Sequence, residues 1–203
     1  MRKIVISLLF GLVFSMALMA YADSTRKGIA ESLVRLHVVA NSDDVYDQQI
    51  KLIVRDALID EFGPVLDGAA NQKQAEQIIT DNLKNIEKVA QTTLEKHGFK
   101  YSAKALYEKT HFPTKKYANI MLPPGEYDAL RIVLGEGKGQ NWWCVMYPPL
   151  CFEGSVLGVI DEAKANMLKQ NIGESGYEII TQKDTVPVNF KFKILEIFDK
   201  VCK

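Results

Sequence analysis

The chain has 203 residues, with 25 basic against 25 acidic side chains and three cysteines. That length suits one domain with a buried core, and the charge balance excludes the broad basic surface that nucleic acid or an anionic bilayer selects. Three cysteines are too few for a disulfide scaffold, so packing must carry most of the stability.

Met1, Arg2 and Lys3 make a short positive start, and Ile4 to Ala20 follow as an apolar run interrupted only by Gly11 and two serines. This is the n-region and h-region of a secretory signal, and Ala20-Tyr21-Ala22 supplies the small-residue pattern at which a signal peptidase cuts. Asp23 is then the new N-terminus. The alternative is an uncleaved membrane anchor, because the run is close to the length that spans a bilayer. The leader holds two of the basic residues and none of the acidic ones, so residues 23–203 stay near neutral. Affinity for a partner must therefore come from a specific patch.

Residues 33–40 are aliphatic and β-branched, with Arg35 and His37 on one face of a period-2 pattern, which predicts a strand. Asn41-Ser42-Asp43-Asp44 has turn and helix-capping chemistry. Ile50, Ile53, Val54, Ala57, Leu58 and Phe62 then fall at helical spacing up to Gly63-Pro64, where the helix is expected to stop. Ile78, Ile79, Leu83, Ile86, Val89, Ala90 and Leu94 form the stripe of a second helix through Lys96, capped by Gly98. From Phe99 the pattern becomes strand-like, at 99–107, 117–122, 127–134 and 142–147, broken by Pro113, Pro123-Pro124-Gly125 and the Gly135 to Gly139 segment. Residues 155–170 return to helical spacing, and Val186 to Val201 reads as a strand passing into a short helix. The architecture that follows is α+β: a single domain over residues 23–203, a largely antiparallel sheet with helices packed on one face, preceded by the signal peptide of residues 1–22.

Four constellations invite a chemical reading. Gly135-Glu136-Gly137-Lys138-Gly139-Gln140-Asn141 is glycine-rich, but it lies between two strands and lacks the Lys-Ser/Thr pair of a P-loop, so a long hairpin loop with positive φ at its glycines is the better account. His37, Asn41, Asp43, Asp44 and Asp47 gather metal-type donors without the spacing of a zinc helix or an EF-hand. Capping of the following helix by Asn41, Ser42 or Asp43 explains them better, and no metal or cofactor is expected. A thiol hydrolase would pair Cys144 with His37 or His111, yet nothing local marks an activated nucleophile, and His97 sits at a helix end. No catalytic residue is assigned. Trp142 and Trp143 are adjacent on a strand and so point to opposite faces, leaving one for the core and one for a contact, or both buried. Cys144 and Cys151 enclose a turn containing Pro148 and Pro149, and of the possible pairings this is the preferred disulfide in an oxidising compartment, with one cysteine left over.

Leu36-His-Val-Val-Ala-Asn-Ser-Asp43, with Asp47-Gln48, Lys51-Leu52 and Val54-Arg-Asp56, resembles the N-terminal signature of the stage II sporulation protein R family. Leu122-Pro-Pro-Gly-Glu-Tyr-Asp-Ala-Leu-Arg131, running through Gly135-Glu-Gly-Lys-Gly-Gln-Asn-Trp-Trp-Cys-Val145 to Pro148-Pro-Leu-Cys151, is similar to its central signature. Tyr147 stands where that pattern has Phe, and the chain beyond Phe152 matches no motif. The resemblance implies a protein made in the forespore of an endospore-forming bacterium and exported to the space between the forespore and mother-cell membranes. There it would activate a membrane-embedded aspartic protease that processes the pro-sigma-E factor.

The resemblance thus implies a signal and no enzyme, with no nucleic acid, no small-molecule substrate, and membrane contact only through the leader. The patch expected to meet the protease is Arg131, Gly135, Glu136, Gly137, Gly139, Asn141, Trp142 and Trp143. His37, Asn41, Ser42, Asp43, Asp47, Arg55 and Asp56 belong to the signature without an assigned role. The alternatives from other classes are a secreted thiol- or metal-dependent hydrolase and an envelope-binding module.

Overall fold

In the computed structural model, residues 2–117, 119–151 and 162–181 are described. The first element is α1 (Arg2–Glu31), whose apolar side chains from Ile4 to Tyr21 are exposed and of which only Ile29 and Ala30 are buried. It is long and apolar enough to cross a membrane, and its position at the N-terminus fits a signal sequence. Its last turn leads directly into β1 (Val34–Val39), every residue of which is buried.

β1 is buried throughout, Arg35 and His37 included, because it is an interior strand of a sheet ordered β2-β5-β1-β6. It pairs parallel with β5 (Gly125–Leu134) and antiparallel with β6 (Asn141–Tyr147), while β2 (Ala103–Phe112) pairs antiparallel with β5. The sheet is largely antiparallel, as the sequence predicts. β5 and β6 are separated by β1, so the loop of residues 135–140 is not a hairpin; it arches over the C-terminal end of β1. The stretch at 117–122 is likewise not one strand but a hairpin of β3 (Lys115–Tyr117) and β4 (Ile120–Leu122).

Three helices cover one face of the sheet. α2 (Val45–Asp67) buries Ile50, Val54, Leu58, Phe62 and Leu66, and this unbroken i, i+4 row explains why the helix passes through Gly63-Pro64 instead of ending there. Pro64 and Asp60 are exposed, so the Asp60 carbonyl that the proline deprives of a donor can meet water. The second predicted helix is two: α3 (Gln72–Asp81) and α4 (Leu83–Lys96), broken at Asn82, whose side-chain amide donates to the Ile78 carbonyl at 2.8 Å. Such a local side-chain bond competes with helix continuation. Gly98 caps α4 with φ +81°, as expected, and Phe99 N–H returns to the Leu94 carbonyl at 3.0 Å.

The main core lies between this helical layer and Val34, Leu36, Val38, Leu130, Ile132 and Leu134 of the sheet. A second core on the opposite face gathers Ile29, Leu33, Phe112, Tyr117, Ile120, Leu122, Tyr127, Ala129 and Val145 with Leu168 and Ile180 of α5 (Glu162–Ile180). α5 continues past residue 170, turning at Gly173 with φ +76°. Residues 155–161 of the predicted helix, the stretch from Val186 to Val201, and Cys202 lie outside the described residues.

Candidate functional site

Strand order brings the two signature blocks together. β1 ends at Val39, and the following Ala40-Asn41-Ser42-Asp43 segment runs under the 135–140 loop. The loop is pinned by its backbone: Gly139 N–H donates to the Ala40 carbonyl at 2.9 Å and Lys138 N–H to the Asn41 carbonyl at 3.1 Å. Two side chains from below complete the brace, Asn41 Oδ1 accepting from Glu136 N–H at 2.9 Å and Asp43 Oδ1 from Gln140 N–H at 2.8 Å. Lys51 Nζ donates to the Gln140 carbonyl at 3.0 Å.

The glycines are explained by this closeness. Gly135 and Gly137 have φ of +55° and +61°, and a Cβ on Gly135 would lie 2.1 Å from Asn41 Oδ1. A Cβ on Gly139 would lie 2.1 Å from the Ser42 backbone oxygen. No anion cradle is needed to account for them.

Asp47 is the keystone beneath. Its carboxylate accepts from Ser42 Oγ at 2.6 Å, Tyr101 OH at 2.7 Å and Asn41 Nδ2 at 2.8 Å. Burial pulls its pKa upward, but the bonds from Ser42, Tyr101 and Asn41 prevail and hold it below the ordinary carboxylate value. The predicted capping role falls to Asp44 instead of Asn41 or Asp43, with Asp44 Oδ1 accepting from Tyr46 N–H at 2.9 Å; Ser42 Oγ serves the turn by accepting from Asp44 N–H at 3.2 Å. The oxygens considered for a metal are thus engaged within the protein. Among the described residues no group of three His, Cys, Asp or Glu side chains is placed to hold one.

The tryptophans point to opposite faces, as a strand requires, and both are half-buried. Trp142 lies on the helical side under the Arg55 guanidinium, 4.3 Å from the ring centroid, and Arg55 also pairs with Asp56 at 2.6 Å. Trp143 stacks on His37 at 3.9 Å and meets the edge of Phe112 at 4.6 Å. Arg131 lies opposite His37 in the sheet and is held by Glu108 at 2.9 Å. These side chains are contacts within the fold before they are contacts with anything else; Glu136, Lys138, Gln140 and Asn141 are the exposed ones of the region.

His37 Nε2 lies 2.7 Å from Asn141 Oδ1, which makes it the donor, and Nδ1 is buried without a partner among the described residues. Burial, with a smaller contribution from Arg131, lowers its pKa despite the opposing bond to Asn141. Stability from the neutral ring is therefore present above the ordinary histidine pKa of about 6.5 and is lost as pH falls through the lower folded value. Urea unfolding at pH 8 and pH 5 is expected to show a loss for the native chain that His37→Gln largely removes.

One residue that sequence reasoning left without a role is Arg35, fully buried on the second face. Its Nε donates to the Cys144 carbonyl at 2.9 Å and Nη2 to Tyr117 OH at 2.7 Å, with Phe112 and Tyr127 rings 4.2 and 4.8 Å from the guanidinium carbon. It fastens the β3–β4 hairpin to the sheet. A cation at an inward position of an aliphatic strand was the available signal.

Cys144 and Cys151 form the preferred disulfide, seven residues apart, so Cys144 offers no thiolate for hydrolysis. Closing so short a loop contributes about 2.5 kcal/mol by chain entropy. Reduction is expected to lower the melting temperature by about 5 to 10 °C, read by calorimetry against Cys144→Ala/Cys151→Ala, which should not respond to reductant. Tyr147, the departure from the family pattern, uses its hydroxyl to reach the Ala69 carbonyl at 3.2 Å.

A family model described as Stage II sporulation protein R matches residues 30–156. The chain belongs to the stage II sporulation protein R family. The matched span runs from the last turn of α1 through β6 and the disulfide, and so holds the whole brace. Stage II sporulation protein R of Bacillus subtilis (strain 168) is 42% identical over 124 residues, covering 61% of this chain and 55% of that protein. The chain therefore spans about half the length of this curated family member. No solved structure matches.

Proposed function

We propose that the chain is a sporulation messenger, exported from the forespore and acting on the mother-cell membrane. In this reading residues 1–22 are the export signal and residues 23–203 the messenger domain. It enters the space between the two membranes and activates the membrane-embedded aspartic protease that processes the pro-sigma-E factor. Family membership over residues 30–156 carries the reading, and the apolar α1 at the start of the chain supports the export step.

A ligand activates a protease only by binding its active arrangement better than its inactive one, and shifting a population from about 1% to 99% takes about 5.5 kcal/mol of differential affinity. Rigidity favours such selectivity, because a pre-ordered surface loses little entropy on docking. The braced end of the domain has that property. The Gly135, Gly137 and Gly139 loop with Glu136 and Asn141, flanked by Arg131, Trp142 and Trp143, is the surface assigned to docking, and His37, Asn41, Ser42, Asp43, Asp47, Arg55 and Asp56 support it from beneath.

The test is co-expression with the candidate protease and its precursor substrate in a non-sporulating host. The shortened product should appear with the exported chain and be missing when residues 1–22 are deleted. A product that forms equally without export, or no product with the intact chain, overturns the proposal.

A further inference from the structure

We infer that the outward face of the N-terminal half of α2 is a docking surface for a protein segment that combines Lys or Arg with apolar side chains. The inference deepens the messenger reading and rests on it.

Outside α1, the large apolar side chains exposed among the described residues are Val45, Tyr46, Ile53, Val65, Met121 and Ile179. Three of them sit on the first turns of α2: Val45 is 66% exposed, Tyr46 71% and Ile53 39%. At about 100° per residue Val45, the exposed Gln49 and Ile53 form an i, i+4 row that flanks the buried row of Ile50, Val54 and Leu58, and Tyr46 stands between the two rows, one turn before Ile50. Tyrosine beside aliphatic side chains is the composition that contact surfaces favour.

The charge of this face has one sign. From Asp43 to Asp67 the chain carries only two cations, Lys51 and Arg55, and both are buried on the inner side, Lys51 against the Gln140 carbonyl and Arg55 over Trp142. Asp43 and Asp44 are exposed at the start of the helix, and Asp60 is exposed on the same side further along. The acidic face ends at the groove beside α4, where Lys88 and Lys96 stand near Glu61. An anionic bilayer is repelled by such a surface, whereas a basic and apolar polypeptide segment complements it.

Position supports the assignment. The last turn of α1 enters β1 at Val34, and Asp43 to Tyr46 follow the other end of that strand, about 20 Å away at about 3.3 Å per residue. This end therefore lies opposite the one at which the export segment joins the domain, and that segment leaves it uncovered. The brace fixes it there, since Asp43 and Lys51 both hold Gln140.

The experiment places a photo-crosslinking amino acid at position 46, 53, 121 or 138 of the full chain in sporulating cells, and maps the adducts by mass spectrometry. Positions 46 and 53 should join a segment of another protein in which Lys and Arg outnumber Asp and Glu and apolar residues intervene. In the co-expression assay, Tyr46→Lys with Ile53→Lys should lower precursor processing at least tenfold with an unchanged melting temperature, while Tyr46→Phe keeps it. Adducts at 121 or 138 but none at 46 and 53, an acidic adduct segment, adducts only with a second copy of the chain, or undiminished processing by the double variant would each overturn the inference. Absence of processing with the unaltered chain defeats the messenger reading separately, and the adduct map is read without it.

Discussion

Asp47→Ala is expected to destabilise the domain by about 3 kcal/mol, because three donors lose their acceptor at once. Asn41, Ser42 and Tyr101 converge on this one buried carboxylate at 2.8, 2.6 and 2.7 Å, and leaving a buried donor unsatisfied costs about 1 to 3 kcal/mol. The lower end applies to each, since all three donors are partly exposed. For a chain of this size the melting temperature should fall by about 6 to 12 °C. The pH dependence gives a second readout. A carboxylate whose folded pKa is depressed contributes stability that is complete above the unfolded value of about 3.9 and disappears as pH falls through the folded one. The difference between native and Asp47→Ala chains should therefore persist down to about pH 4 and shrink below it. A constant difference in acid would show that the carboxylate charge is not what holds the brace.

Gly139→Ala should cost a similar amount for a steric reason. The added Cβ would lie 2.1 Å from the Ser42 oxygen, 2.5 Å from its carbonyl carbon and 2.9 Å from Ala40 Cβ. Both nearest atoms are backbone, and the Gly139 N–H is tied to the Ala40 carbonyl, so the loop must lift. Forcing atoms into such a space costs about 3 kcal/mol, and the expected loss of the Asn41 and Asp43 bonds adds to it. Gly98→Ala is the comparison: its φ of +81° is unfavourable for alanine, but nothing lies within 4 Å of the new Cβ, which limits the cost to about 1 to 2 kcal/mol. Equal urea midpoints for the two variants would contradict the close approach of the two blocks.

Sequence pattern was informative wherever the determinant was local. β1 was legible because its β-branched and aliphatic residues alternate with Arg35 and His37 at the period of a strand, and the end of α4 because Gly98 supplies a left-handed cap. The proline rule failed at Pro64, where tertiary burial of Phe62 and Leu66 outweighs one lost hydrogen bond on the wet side. Asn82 broke an apparently continuous stripe through a side-chain bond that leaves no periodic trace. Strand order was the larger omission. Treating the 135–140 segment as a hairpin hid the fact that β1 lies between β5 and β6, and with it the reason two signature blocks far apart in sequence are one structure. Tyr101 reaches Asp47 from outside both blocks, a partnership that no spacing rule encodes. The tryptophans were placed on opposite faces correctly, but their engagement with Arg55 and His37 depends on neighbours that only the fold supplies.

A messenger that works by selecting the active form of its receptor acts in proportion to its amount, whereas an enzyme turns over. The decisive measurement is a titration of the full chain into vesicles holding the candidate protease and its precursor substrate, with the rate of shortening followed at each ratio. The rate should rise and level off near equal amounts of chain and protease, and it should vanish when the protease lacks its catalytic aspartate. Full-rate shortening at a hundredth of the protease concentration, or shortening by the chain with no protease present, would contradict the account.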